Sequence, residues 1–310
     1  MRARLTCIAS LGLAAALFVT SLRYVLDFWL LAFVNSFQLH IGIACAVLSF
    51  LCIIFLRSRS MILLLVWALA LSGHGFYMHK QFVTDATPDP SSRPFRLMSF
   101  NVLMENARNA GFIADAMLAS NADAVFVMEA EALLPVMPRL LRTYPYRLGC
   151  QEGTLTCDLL ILSKRPLLEG RFYSLSDLRR DRFAMASVDL EGTKLTLAAG
   201  HFTKPYFDDY HTYELHRASE LLWRVTGPLI LAGDFNSASI APDMQNFMHY
   251  NDLRKAPWEP ATWPIEAGRF GIAIDHIFAR KPATLMKTER MPNELGSNHY
   301  GLIADFMIGQ

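Results

Sequence analysis

Hydrophobic and polar positions divide the chain into two unlike parts. Residues 1–78 are almost uninterrupted apolar sequence, and their only Lys, Arg, Asp or Glu side chains are Arg2, Arg4, Arg23, Arg57, Arg59 and Asp27. Three apolar runs lie within them, Thr6 to Leu22, Phe37 to Leu56 and Met61 to Tyr77, each near the ~20 residues needed to cross a bilayer core. Buried helices of a soluble protein rarely run this long with so few charges, so the pattern predicts three membrane-spanning helices. Arg2 and Arg4 before an apolar core also suit a secretory signal, but no small-x-small cleavage site follows and two more spans come behind. A retained first span is expected.

Beyond Tyr77 the periods shorten and alternate. Residues 79–94 read as a linker whose Pro-rich part runs from Asp85 to Pro94. Strands are predicted at Phe95 to Asn101, Ala124 to Met128, Leu159 to Leu162, Ala184 to Val188, Lys194 to Ala199, Leu229 to Ala232, Ile272 to Ala279 and Gly301 to Ile308. Helices are predicted at Arg108 to Ala119, Ala132 to Leu141 and Tyr210 to Val225. Consecutive strands between residues 159 and 200 with no helix among them indicate mixed sheets in an α/β domain. The expected organisation is a transmembrane anchor over 1–78, a linker over 79–94 and a catalytic domain over 95–310.

Charge orients the anchor. Arg2 and Arg4 precede the first span and Arg57 and Arg59 sit in the tight link between the second and third, whereas Arg23 is offset by Asp27 in the link between the first two. The positive-inside rule places the amino terminus and the Arg57–Arg59 link in the cytoplasm and everything after Tyr77 on the far side. The expectation is a multi-pass protein of the cell (inner) membrane with an extracytoplasmic, periplasmic domain. Cys7, Cys45 and Cys52 lie in the spans, while Cys150 and Cys157 flank a turn-like insert, and a disulfide between them fits an oxidising compartment.

The predicted strands end in polar residues. Asn101 ends the first and Glu129 the second; His201 follows the strand Lys194 to Ala199. Leu229-Ile-Leu-Ala232 leads through Gly233 to Asp234, Phe235 and Asn236. On an extended segment Asp234 and Asn236 would project to one side. Asp275 lies within an apolar run, and Asn298-His299 precedes the last strand. Singly, each has a plainer reading as a turn residue, helix cap or hydrogen-bonded core histidine. Six such endings rich in carboxylate, amide and imidazole suggest phosphoester cleavage. A hard cation such as Mg²⁺ takes carboxylate and amide oxygens, which Glu129, Asn101, Asp234 and Asn236 can supply. Two histidines suit donation to phosphate oxygens and proton movement near neutral pH.

The motifs Ser99-Phe-Asn101, Met128-Glu-Ala130, Gly200-His-Phe202, Gly233-Asp-Phe-Asn236, Ile274-Asp-His-Ile-Phe278 and Ser297-Asn-His299 resemble, in this order, the endonuclease/exonuclease/phosphatase superfamily over about Phe95 to Phe306. The resemblance implies a four-layer α/β sandwich, two mixed β-sheets flanked by helices, here preceded by an all-α transmembrane segment. It implies Mg²⁺ or Mn²⁺ as cofactor, with Glu129 the main metal ligand and Asn101 and Asn298 beside it. It also implies that Asp234 orients or deprotonates water, that Asn236 holds the phosphate or that aspartate, and that His201 and His299 stabilise the phosphate, His299 paired with Asp275. Asn106 and Trp263 are implied as substrate contacts. One position departs from the family pattern: Asn298 stands where Asp is usual, which removes a negative charge.

Substrate is less constrained. Residues 79–310 hold 24 of the 29 Lys and Arg and 27 of the 28 Asp and Glu, a net charge of −3. Arg179-Arg180 and Lys204 are isolated instead of forming the basic run expected of a nucleic-acid binder. The expected partners are a phosphoester substrate (nucleic acid, phospholipid or small phosphodiester) and the lipid bilayer, with no protein partner predicted. The alternatives are a catalytically silent module that binds a phosphorylated ligand, an extracytoplasmic nuclease, and a helical bundle that is itself the working part.

Overall fold

A computed structural model of the chain describes residues 2–26, 28–84, 87 and 90–309. Asp27 and the linker residues Asp85, Ala86, Pro88 and Asp89, all used in the reading above, lie outside them. The chain divides into two compact units.

The first unit comprises residues 1–81 with 205–209 and 237–245. Its helices are α1 (Arg2–Ser21), a short α2 (Ala32–Ser36), α3 (Gln38–Leu56) and α4 (Met61–Lys80). Three segments, Ala3–Tyr24, Gln38–Leu56 and Met61–Lys80, are long and apolar enough to cross a membrane. Their packing suits lipid as solvent. A thin seam of Leu13, Leu17, Cys45, Ala46, Ala68 and Leu71 is buried, while Ile8, Phe18, Phe50, Phe55 and Leu63 point outward. Small residues let the helices approach closely, since a Cβ on Gly42 would lie 2.6 Å from Ser72 Oγ. Gln38 donates to the Leu71 carbonyl at 3.0 Å, and Arg23 donates to the carbonyl of Ile240 at 2.8 Å.

The second unit holds the rest of the described chain and contains eleven strands. The first sheet comprises β1 (Arg93–Asn101), β2 (Ala124–Met128), β3 (Tyr146–Leu148), β4 (Leu159–Ser163), β10 (Ala283–Arg290) and β11 (Leu302–Ile308), in the order β10-β11-β1-β2-β4-β3. The second comprises β5 (Leu168–Tyr173), β6 (Phe183–Leu190), β7 (Thr193–His201), β8 (Leu229–Asp234) and β9 (Asp275–Arg280), in sequence order. Each sheet contains a parallel pair, β1 with β2 and β7 with β8, among antiparallel neighbours. Both sheets are therefore mixed.

The sheets pack face to face, with Leu97, Phe126 and Ile161 of the first meeting Val188, Leu197 and Ile230 of the second in one core. The outer face of the first sheet buries Phe100, Val125 and Leu160 under Ile113 and Met117 of α5 (Ala110–Ala119). On the second, Phe235 stacks on Phe202 and meets Phe247 of α8 (Pro242–Tyr250), beside α7 (Tyr210–Leu222). Covered on both sides, β2, β4 and β8 are buried throughout, and their apolar runs show no alternation for that reason.

Several elements depart from the sequence expectation. Ala132 to Leu141 is a 3-10 turn, Ala130–Val136, followed by the four-residue α6 (Met137–Leu140). Pro135 and Pro138 each remove an amide donor, which prevents one continuous α-helix. The helix at Tyr210 stops at Leu222, ahead of Gly227-Pro228. β3, β5, β10 and α8 were not anticipated. β5 is an exposed edge strand with a register shift between Leu168 and Arg171, so it shows little buried face.

Candidate active site

Both parallel pairs end at the site. In β1 and β2, Asn101 pairs in register with Met128, and Glu129 follows immediately. In β7 and β8, His201 pairs with Asp234. The pairing also explains the glycines of the two motifs. Gly200 and Gly233 face each other across β7 and β8, and Gly233 has φ 152°. A Cβ on Gly233 would lie 1.8 Å from the Gly200 carbonyl oxygen, so only glycine fits at this crossing.

Asp234 is the centre of the constellation and is 1% exposed. Its Oδ2 accepts a hydrogen bond from Asn101 Nδ2 at 3.0 Å. The same oxygen lies 3.8 Å from His201 Nε2 and 3.7 Å from His299 Nε2. Its Oδ1 accepts from the main-chain N–H of Asn236 at 2.8 Å. Asn236 has φ 51°, a left-handed conformation that asparagine tolerates well, so it turns back toward Asp234 and does not project beside it from an extended strand. Its own Nδ2 donates to the Phe202 carbonyl at 2.9 Å, which ties the ends of β7 and β8 together.

Glu129 stands beside this group. Asn101 Nδ2 also donates to Glu129 Oε1 at 3.3 Å, and Met104 N–H donates to Oε2 at 2.8 Å. Glu129 itself has φ 57°, a conformation that costs a non-glycine residue energy.

Each histidine is held from behind by a carboxylate. His299 Nδ1 is 2.8 Å from Asp275 Oδ2, and His201 Nδ1 is 2.8 Å from Asp158 Oδ2. In both dyads the Nδ1 contact leaves Nε2 facing Asp234. Asp158 is in turn held by Arg182 at 2.9 Å. Burial pushes the Asp158 carboxyl up, but the hydrogen bond and charge of His201 together with Arg182 outweigh it and hold the group below its ordinary value. Burial likewise pulls the His299 imidazole down, and Asp275, Asp234 and Glu129 more than reverse this, raising it to about 9.

Asp158 is the site residue that the sequence reading missed. Its only signal was an acid just before the apolar run Leu159 to Leu162. Because β4 runs antiparallel to β2, its amino end, not its carboxyl end, lies at the site edge. Glu214 was also missed. Buried on α7, it accepts from Ser176 Oγ at 2.6 Å and from Thr203 N–H at 2.8 Å, fixing the segment that follows His201.

The remaining expected residues are placed differently. Asn106 Nδ2 donates to the Val102 and Leu295 carbonyls, both at 3.0 Å, and its Oδ1 accepts from Asn109 at 2.5 Å. These bonds tie the Asn106 amide to the loop before Ser297. Asn298 is exposed between the buried Ser297 and His299. Trp263 is half-buried, and its main chain bridges to Ile272. The adjacent Thr262 Oγ1 accepts from Asp275 N–H at 3.2 Å, so this loop locates the Asp275–His299 dyad. Behind the loop, Glu259 bonds both Lys255 Nζ at 2.5 Å and His276 Nδ1 at 2.7 Å in a buried ionic cluster.

The donor chemistry fits a hard divalent cation. At one edge of the site Glu129 offers carboxylate oxygens, and beside it Asn101 has an amide oxygen that accepts from Leu103 N–H at 3.2 Å while its NH₂ faces the carboxylates. At the other, atoms of Asp234, Asp275 and His299 lie within 4.8 Å of one another, and Asp275 Oδ1 is buried without a hydrogen-bond partner.

The profile of the Endonuclease/Exonuclease/phosphatase family matches residues 98–299. The chain belongs to this family. Solved structures with the same fold include D. rerio TDP2 complexed with single strand DNA product (18% identity, 69% of this chain and 98% of that one, TM-score 0.57). Others are a beta toxin variant from Staphylococcus aureus with bound magnesium ions (16%, 68% and 99%, 0.53) and sphingomyelinase C from Streptomyces griseocarneus (16%, 69% and 99%, 0.52). No curated protein sequence matches the chain. At these identities the structures share the fold of the family member, the DNase I-like sandwich of two mixed sheets flanked by helices, and no more.

Proposed function

We propose that this family member is a membrane-anchored, divalent-metal-dependent phosphodiesterase that hydrolyses its substrate by direct attack of water. The observation that carries the reading is the convergence of two carboxylate-backed imidazoles and one amide on Oδ2 of the buried Asp234.

Each residue then has a role set by its surroundings. Asp234, with Oδ1 fixed by the Asn236 N–H, uses Oδ2 to orient the attacking water and take its proton. His299 carries a proton on Nε2 at neutral pH and donates it as a hydrogen bond to a non-bridging phosphoryl oxygen. His201, kept in one orientation by Asp158 at Nδ1, presents Nε2 to the second such oxygen. Asn236 positions Asp234 and does not touch the phosphate. A Mg²⁺ or Mn²⁺ ion held by Glu129 and Asn101 would polarise the phosphoryl group and offset charge on the leaving oxygen.

The three apolar helices support anchoring, and the Arg2, Arg4, Arg57 and Arg59 bias together with the Cys150–Cys157 disulfide supports the extracytoplasmic side. The test is hydrolysis of an aryl phosphodiester by the full chain in detergent, with and without Mg²⁺ or Mn²⁺. Turnover should require the metal and fall at least ~10³-fold in Asp234→Ala. Absence of turnover while metal still binds would refute the enzyme and favour a phosphate-binding module.

A further inference from the structure

A groove of about 470 Å³ opens beside the reaction centre. Met104, whose N–H holds Glu129, stands on one wall, and Asp158 and Arg182, which hold His201, stand on the other. It therefore borders the site through Met104, Asp158 and Arg182, and the catalytic roles above do not use it.

Its chemistry is that of an anion receptor with an apolar rim. Arg182 is taken by Asp158, but Arg179 and Arg180 also line the groove and are exposed, with no carboxylate within ion-pair distance among the described residues. The neighbouring Asp181 accepts from Thr154 Oγ1 at 2.6 Å and from Ser174 Oγ at 3.2 Å, so it clamps two loops and does not neutralise the arginines. Across the groove Glu131 supplies the one further carboxylate of its lining. Three guanidinium groups thus face two carboxylates in a domain that is net negative elsewhere.

The loop that lines the groove together with the arginines is cross-linked. It is closed by the Cys150–Cys157 disulfide and tied down by Thr154. At its tip Leu155 is 96% exposed, alongside the part-exposed Met104 and Leu134. An exposed aliphatic tip beside unpaired guanidinium groups is what an interfacial site presents to acyl chains and headgroup anions. A nucleic-acid groove, by contrast, needs rings on which bases stack, and this lining contains no aromatic residue.

We infer that Arg179 and Arg180 form the specificity subsite for a phospholipid whose headgroup carries a second anionic group, bound while its phosphodiester is at Asp234. The inference rests on the phosphodiesterase reading for its location and is testable apart from it.

The test measures binding by the full chain in nonionic detergent. One titration uses mixed micelles doped with phosphatidylglycerol phosphate, one uses phosphatidylcholine, and one uses soluble glycerol 1,3-bisphosphate. The doubly anionic micelles should bind at least about tenfold more tightly than the zwitterionic ones. Arg179→Gln/Arg180→Gln should abolish that preference without changing Tm, since both side chains are exposed. Leu155→Ser should weaken micelle binding and leave the soluble bisphosphate unaffected. Equal binding to the two micelles, no binding to either, or a preference retained in the double variant would overturn the inference. Preference for the soluble bisphosphate without preference among micelles would overturn the lipid assignment, as would displacement of the micelles by plasmid DNA. Aryl diester hydrolysis run in parallel separates the two readings. A retained lipid preference without hydrolysis sinks the enzyme, and hydrolysis without preference sinks the subsite.

Discussion

Asp158→Asn isolates what the carboxylate behind His201 contributes. In the native site that carboxylate holds His201 Nδ1 at 2.8 Å with one oxygen and Arg182 at 2.9 Å with the other, with side chains only 12% and 17% exposed for Asp158 and Arg182. An amide preserves the shape but removes the charge and leaves the Arg182 guanidinium half-buried and unneutralised. Breaking a fully buried ion pair costs about 3–5 kcal/mol, and partial solvent access brings the figure here to about 2–3 kcal/mol. For a domain of this size that corresponds to a fall in Tm of roughly 5–10 °C. The catalytic effect is separate. Asparagine lacks the negative charge that supports positive charge on an imidazole bonded through Nδ1, so donation from Nε2 weakens and kcat should fall by about 10²–10⁴ with KM changed little. The assay is metal-saturated hydrolysis of an aryl phosphodiester alongside thermal melts, comparing Asn with Ala at this position. A kcat within threefold of the native value in both variants would refute the assignment of Asp158 to the reaction centre.

Further outcomes follow from the same geometry. His299 is raised from its unfolded value near 6.5 to about 9, so it stabilises the metal-free domain fully below about pH 6.5 and loses that contribution as pH rises through 9. The Tm of chelator-treated protein should decline across this window and the decline should flatten in His299→Gln; identical slopes would exclude His299 as the group responsible. Bound cation offsets the surrounding carboxylates, so the alkaline limb of kcat should lie below pH 9. Gly233→Ala should leave little folded protein, because its Cβ meets the Gly200 carbonyl at 1.8 Å and its φ of 152° is strained for alanine; soluble, fully active protein would contradict the register of β7 and β8. Glu129→Gln should weaken Mn²⁺ binding, read by electron paramagnetic resonance, by about ten- to a hundredfold while the fold persists.

The parts of the molecule visible in the sequence were those written in unbroken apolar runs. The three long helices and the buried strands β1, β2, β7 and β8 needed no long-range information, and their carboxyl ends supplied Asn101, Glu129, His201 and Asp234. What escaped was set by strand direction and edge position. β4 is antiparallel to its neighbour, so its contribution, Asp158, precedes the strand instead of following it. β5 is an exposed edge strand without a clear buried alternation, and the nine-residue α8 offers only a short pattern. The anchoring role of Asn106 was not legible, because one of its partners, the Leu295 carbonyl, lies 189 residues away in sequence.

The site draws on Asn101, Glu129, Asp158, His201, Asp234, Asp275 and His299, from seven segments spread across both sheets. No local fragment of the chain holds more than two of these groups near each other, so the constellation forms only after the two sheets have closed and β11 has joined the first. Such contacts are distant in sequence, and their closure comes late in folding. A cation that binds this arrangement and not the open chain therefore acts as a latch on the finished domain. At a hundredfold excess over its dissociation constant it adds about 2.7 kcal/mol to stability. A newly folded domain would then gain its last increment of stability in the same event that equips it to react.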